Sequence, residues 1–146
     1  GFSYIDRGVS VTVRNVALVG GPMEQARQLA DAARIDLILD DGEMIAAPRG
    51  ELRRDDAEGS TPVLRDRTGL IGFPGFDAKG IVGKCLYDPR LVLGGPVRIE
   101  SMVPKASGLW RVSSVSHRLQ ANHGNARAWE TSFKATYPNA KKDAKK

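Results

Sequence analysis

The chain of 146 residues is poor in the residues that usually carry chemistry. Its single cysteine, Cys85, excludes an internal disulfide and any multi-cysteine zinc site. Its only histidines are His117 and His123, with no cysteine, aspartate or third histidine at ligand spacing beside them, so no metal site is expected. Aromatic residues make up 6% of the chain, too few for the row of stacking platforms that single-stranded nucleic acid needs. No apolar run is long enough for a membrane-spanning helix, and no signal-like start is present. No serine sits in a Gly-X-Ser-X-Gly elbow, and no glycine-rich loop ends in Lys-Ser or Lys-Thr. Asp40-Asp41-Gly42-Glu43 is too short for a calcium loop, and Asp55-Asp56-Ala57-Glu58 lies among Arg53, Arg54 and Arg65. Catalysis needs a nucleophile with its base, or paired carboxylates of different pKa. The sequence presents neither, so the expectation is a protein that is not an enzyme and binds no cofactor.

The charge balance is less informative than its total implies. Of the net +5, the segment 139–146 holds +3, from four lysines against one aspartate, which leaves +2 on the body. That segment reads as a disordered Lys-rich tail. Arg7, Arg14, Arg111, Arg118 and Arg127 are scattered, so binding of nucleic acid is not expected from charge.

What the chain does have is strand patterning. Val9, Val11 and Val13 alternate with Ser10, Thr12 and Arg14, which predicts a strand with one buried face in residues 8–19. Gly20-Gly21-Pro22 breaks that pattern and sets a proline in the first turn of a helix, with Glu24 suited to the helix dipole. Met23, Ala26, Leu29, Ala30 and Ala33 recur at spacings of three and four, predicting an amphipathic helix over 23–34. Residues 35–39 and 44–47 read as paired strands, with Asp41-Gly42 as a strong hairpin turn. Residues 49–60 form a charged loop or linker.

Beyond residue 61, extended runs are predicted at 80–87, 97–101, 109–119 and 128–137, arranged around the corner Gly94-Gly95-Pro96. The two glycines can take positive φ or a bulge there, and Pro96 can only begin a strand or lie on an edge. Within 109–119 the parities are mixed. Leu109, Arg111, Ser113, Val115, His117 and Leu119 lie on one, and Trp110, Val112, Ser114, Ser116 and Arg118 on the other. Neither face is cleanly apolar, so both are expected to be partly covered. Cys85 is expected as a small buried hydrophobe and His117 as a hydrogen-bonded scaffold residue. Residues 68–76 read as an apolar loop punctuated by three glycines and Pro74. Such loops often mark contact surfaces, and the alternative is a plug folded over a barrel end. Leu70, Ile71, Phe73 and Phe76 are therefore the candidate assembly-interface residues.

The expected fold is mainly β with a small α+β module. It comprises one or more barrel strands in 1–19, a helix-plus-hairpin module and charged loop over 20–60, and an antiparallel β-barrel segment over 61–138.

The order of these elements carries a resemblance. "TGLIGFPGFDAKGIVGKCLYDPRLVLGGPVRIES", then "GLWRVSSVSHRL", then "WETSFKATY", resembles the C-terminal portion of bacteriophage baseplate hub proteins of contractile tails. The earlier "GPMEQARQLADAARIDLILDDGEMIAAP" is similar to the helix-plus-hairpin module that such hubs carry between barrel segments. Together these stretches cover residues 16–137. The resemblance implies a virion structural protein, made in a bacterial host's cytoplasm from a phage or prophage. It implies a tail-tube-like barrel that forms a homotrimer and joins the tail tube to the central spike, without enzymatic activity. The chain is shorter than the family norm, lacks an N-terminal barrel and begins at Gly1, so a fragment or a reduced hub is expected. The alternative from another class is an OB-like module that binds single-stranded nucleic acid.

Overall fold

The Asp41-Gly42 pair makes the turn that its composition predicts. Both residues have positive φ, 48° and 77°, as a two-residue hairpin loop with the right-handed strand twist requires. In the computed structural model, which describes residues 2–54, 59–121 and 129–138, this hairpin belongs to the first of two compact units, residues 2–51 and Leu52–Pro138. His123, the acidic run 55–58 and the tail 139–146 lie outside the described residues.

In the first unit, strands β1 (Ser3–Asp6), β2 (Ile35–Asp40) and β3 (Glu43–Pro48) form a three-stranded sheet in the order β1-β3-β2. β2 and β3 are antiparallel, whereas β1 runs parallel to β3. Helix α1 (Pro22–Ala33) lies against β2 and buries Ala30. Pro22 opens the helix, and Glu24 accepts a hydrogen bond at 3.0 Å from the Gly21 amide. Glycine has no side chain to return that bond, so only half of a capping box forms. Gln28 fastens the preceding segment by bonding both the amide and the carbonyl of Val19, at 3.1 and 2.8 Å. Arg34 ends the helix in the left-handed region, at φ 54°.

The strand expected within residues 8–19 does not form. The chain turns at Gly8, with φ 83°, directly after β1. Val9 and Val13 are half-buried, while Val11, Val16, Leu18 and Val19 stay exposed. Alternation produces a strand only where a neighbour accepts its hydrogen bonds, and this segment pairs with neither edge strand of the small sheet, β1 or β2. The strand at this end of the chain, β1, pairs in the small sheet and is not a barrel strand.

The second unit holds six strands: β4 (Val63–Arg65), β5 (Leu70–Phe76), β6 (Ile81–Leu86), β7 (Pro96–Glu100), β8 (Gly108–Leu119) and β9 (Trp129–Thr136). Their order is β4-β7-β8-β9-β6-β5, a nearly closed, barrel-like sheet. The expected antiparallel barrel needs a correction, because β4 runs parallel to β7 and the sheet is mixed. The reason lies in the connection. β4 and β7 are not sequence neighbours, so no hairpin forces them antiparallel.

Gly94-Gly95-Pro96 lies at the corner before β7. Gly94 has φ 75°, and its amide bonds the Val112 carbonyl at 2.8 Å. A Cβ on Gly95 would come within 2.8 Å of the Val92 side chain, so only glycine fits that approach. Pro96 begins β7, where its missing N–H does least harm. Val97 and Ile99 then point into the core with Ile81, Trp110, Val112 and Phe133, while Glu100 faces solvent. Each such fully buried aliphatic side chain is worth roughly 1.5–3 kcal/mol. The Trp110 indole N–H donates to the Ala106 carbonyl at 2.8 Å, from a 3₁₀ turn over Pro104–Ala106, and its ring stacks on Tyr137. Arg53 and Arg54, in the stretch expected to be a charged loop or linker, are tied down. The Arg53 amide bonds Gly94, and the Arg54 guanidinium reaches the Arg90 carbonyl at 2.7 Å.

The mixed parity of 109–119 has a simple cause. Val112 pairs with Ala135, but Ser114 pairs with Lys134, so Ser113 is an extra residue on β8. A bulge of this kind moves every later side chain to the other face. Trp110 and Val112 before it, and Val115, His117 and Leu119 after it, therefore share the inner face. Ser114, Ser116 and Arg118 share the outer one.

Candidate assembly surface

The six-stranded sheet has two edges, and the chain treats them differently. At β4 the main-chain groups that a further strand would use are already engaged. The Thr68 hydroxyl donates to the Val63 carbonyl at 3.1 Å and accepts from the Arg65 amide at 3.0 Å, and the Thr68 amide donates to the Arg65 carbonyl. Across the strand pair, the Arg65 guanidinium grips the Glu100 carboxylate through two nitrogens. That hydrogen bonding holds the Glu100 carboxyl below the ordinary carboxylate range.

β5 is the opposite case. Residues 68–76 were expected as a loop, yet residues 70–76 form a strand paired antiparallel with β6. Leu70 lies opposite Cys85 and Ile71 opposite Lys84, and then Gly75 lies opposite Val82 and Phe76 opposite Ile81. Three residues, Gly72-Phe73-Pro74, thus face the single Gly83. Gly72 takes φ 70° to make the detour, and Pro74 is buried and brings no N–H. Such a bulge blunts a sheet edge against uncontrolled pairing. It also lifts Phe73 out of the sheet, where the ring is 71% exposed.

The four candidate residues accordingly separate. Leu70 is buried and belongs to the core, so it supports the surface from below. Ile71 and Phe73 line an open groove of about 470 Å³ on the outer face. Phe76 pairs with the inward-facing Ile81 and is 54% exposed at the end of the strand. The groove floor comes from residues that sequence reasoning did not select: Val82, Lys84, Ser114, Ser116, Ser132 and Lys134. Cross-strand register sets them in two rows, Lys84–Ser132–Ser116 and Val82–Lys134–Ser114. The mixed parity of 109–119 was the one signal pointing to them, and it needed the Ser113 bulge to be interpretable. Lys84 lies 3.9 Å from Glu130.

The inner side of the same strands is committed to structure. Cys85 is fully buried, and burial foremost, with the Asp88 charge next, pushes its thiol up to about 11, so it is a poor nucleophile. His117 Nδ1 meets the Thr131 hydroxyl at 2.8 Å, and the edge of Tyr87 packs on the imidazole at 5.1 Å between ring centres. Asp88 is held below the ordinary carboxylate range by hydrogen bonds from Arg90. Among the described residues, no three His, Cys, Asp or Glu side chains are grouped to hold a metal ion, and no helix is long and apolar enough to cross a membrane.

No family model matches the chain, and no curated protein matches it.

Proposed function

We propose that this chain is a structural assembly protein, a hub component of a phage tail baseplate that acts as a homotrimer in the virion and joins the tail tube to the central spike. One observation supports this reading above the others. The bulged edge β5 sets the apolar Ile71 and Phe73 beside a groove on the outside of a sheet whose inner face carries the hydrophobic core. Exposed apolar surface of that kind is costly to leave in water and marks protein contacts. The resemblance of residues 68–137 to hub proteins supplies the particular setting. On this reading the protein joins other proteins without catalysis, and no cofactor takes part.

The test is the molar mass in solution by multi-angle light scattering. A concentration-stable trimer is expected, and a monomer across the accessible range would contradict the reading. The alternative, an OB-like module, predicts instead a salt-dependent complex with single-stranded DNA that survives deletion of residues 139–146.

A further inference from the structure

Besides its two end strands, the six-stranded sheet leaves a further stretch of ladder open, in the second half of β8. β7 pairs with β8 only over residues 108–111, and the Gly94–Gly95 corner takes both main-chain groups of Val112. From Ser114 to Leu119, β8 is paired with β9 alone. The Trp129 carbonyl accepts from the Tyr87 amide, so Trp129 turns its main-chain groups away from β8. Alternation along an antiparallel pair then makes Glu130, Ser132 and Lys134 the residues that bond to Arg118, Ser116 and Ser114. Val115, His117 and Leu119 turn their N–H and C=O groups the other way. No strand and no other main-chain group meets them there among the described residues.

This edge lacks the devices that close the other two. No proline, glycine or register shift interrupts residues 114–119, and residues 116–119 are all exposed. The stretch is as long as an average strand, about 5–6 residues. An unblunted edge of that length is a template for one more strand. The face that holds Val115, His117 and Leu119 continues past the core as an open apolar shelf. Tyr87 packs edge-on against His117 and against Trp129, at 5.1 and 6.1 Å between ring centres. Leu119 and Trp129 remain 48% and 52% exposed, and the bond from Thr131 holds the His117 ring in place.

We infer that residues 114–119 receive an extended segment of another protein as an added antiparallel strand. Its alternate side chains are apolar and lie on the Tyr87–Trp129 shelf, and those between them are neutral or acidic, beside Ser116 and Arg118. The open N–H and C=O groups define the occupant as a strand, and the shelf defines its apolar positions. A second copy of this edge is the poorer occupant. In the antiparallel register that overlaps residues 115–119 fully, the two His117 rings face each other and the two Arg118 side chains become diagonal neighbours of like charge. The inference goes beyond the β5 reading and does not depend on it.

The probe is a synthetic peptide of valine alternating with threonine between glutamate ends, added to the isotope-labelled full chain. Amide hydrogen exchange is followed by NMR. In the free protein the Val115, His117 and Leu119 amides are expected to exchange at least about tenfold faster than those of Ser116 and Arg118, and to slow when the peptide is added. In antiparallel pairing the valine N–H groups face β8. N-methylation of the valines is therefore expected to weaken binding at least about tenfold, and N-methylation of the threonines far less. His117→Pro removes one open donor without touching the β9 ladder and is expected to lose binding, whereas His117→Val keeps it. Should His117→Pro unfold, the two methylated peptides on wild type decide the matter. Equal binding of those peptides, or no slowing of the three amides with the unmodified one, overturns the inference. So does slow exchange of the three amides in the free protein that fades on dilution, because a second copy then already fills the edge.

Discussion

The two edges of the six-stranded sheet solve one problem in two ways. At β4, a threonine from the following turn occupies the free main-chain groups, and an ion pair bridges the strand to β7. At β5, a three-residue detour breaks the ladder and puts an aromatic side chain into water. Both devices prevent a stray strand from adding to the sheet. Only the second leaves a surface that gains by being covered. The difference teaches that edge protection and adhesion are separable: a bulge removes the regular template for pairing while displaying side chains that bind by shape.

The sharpest way to break that comparison lies within β5, where neighbouring residues are assigned opposite duties. Leu70→Ala is expected to cost about 2–5 kcal/mol in urea unfolding, because it opens a cavity in the core. Ile71→Ala should cost no more than about 0.5 kcal/mol, because the side chain is half exposed. Cys85 lies opposite Leu70, so its alkylation rate under native conditions should rise in Leu70→Ala and stay unchanged in Ile71→Ala. Equal effects of the two substitutions would erase the division between support and surface.

At the other edge, Thr68→Val is expected to destabilise by about 0.5–1.5 kcal/mol, since it removes the bonds to the Val63 carbonyl and the Arg65 amide at an exposed edge, and to leave association unchanged. An effect on association there would mean that β4 too is a contact edge.

The smallest effect belongs to the exposed pair beside it. Glu100 has a lowered pKa in the folded state, so its contribution is present at neutral pH and is lost as pH falls through the carboxylate range. Glu100→Gln should therefore flatten the acid limb of the stability curve slightly, with an effect at neutral pH below that of Thr68→Val. A larger effect than that of Thr68→Val would move the closure of this edge from the hydroxyl to the ion pair.

Much of the fold was legible in the sequence for local reasons. The Asp41-Gly42 turn, the Pro22 helix start and the strand expected within 128–137 are each dictated by neighbouring residues, and each forms as expected. Three features were not legible because they depend on partners far along the chain. Val9, Val11 and Val13 alternate like a strand but pair with no other strand. The parallel β4–β7 pairing joins residues some 35 positions apart. The strand β5 was hidden by Gly72 and Pro74, which read as loop chemistry and instead build a bulge. The candidate surface was half visible for the same reason. Ile71 and Phe73 stood out as apolar residues in a glycine-rich stretch. Lys84, Ser116, Ser132 and Lys134 become neighbours only through the register of β8, β9 and β6.

The central claim, that the bulged edge β5 is what this protein assembles through, is tested most directly by light scattering on wild type and on Phe73→Asp/Phe76→Asp at matched concentration, with thermal unfolding of both. Both rings are more than half exposed, so the double variant is expected to unfold at nearly the wild-type temperature while its mass falls to that of the monomer. The same oligomeric state in both proteins would contradict the account.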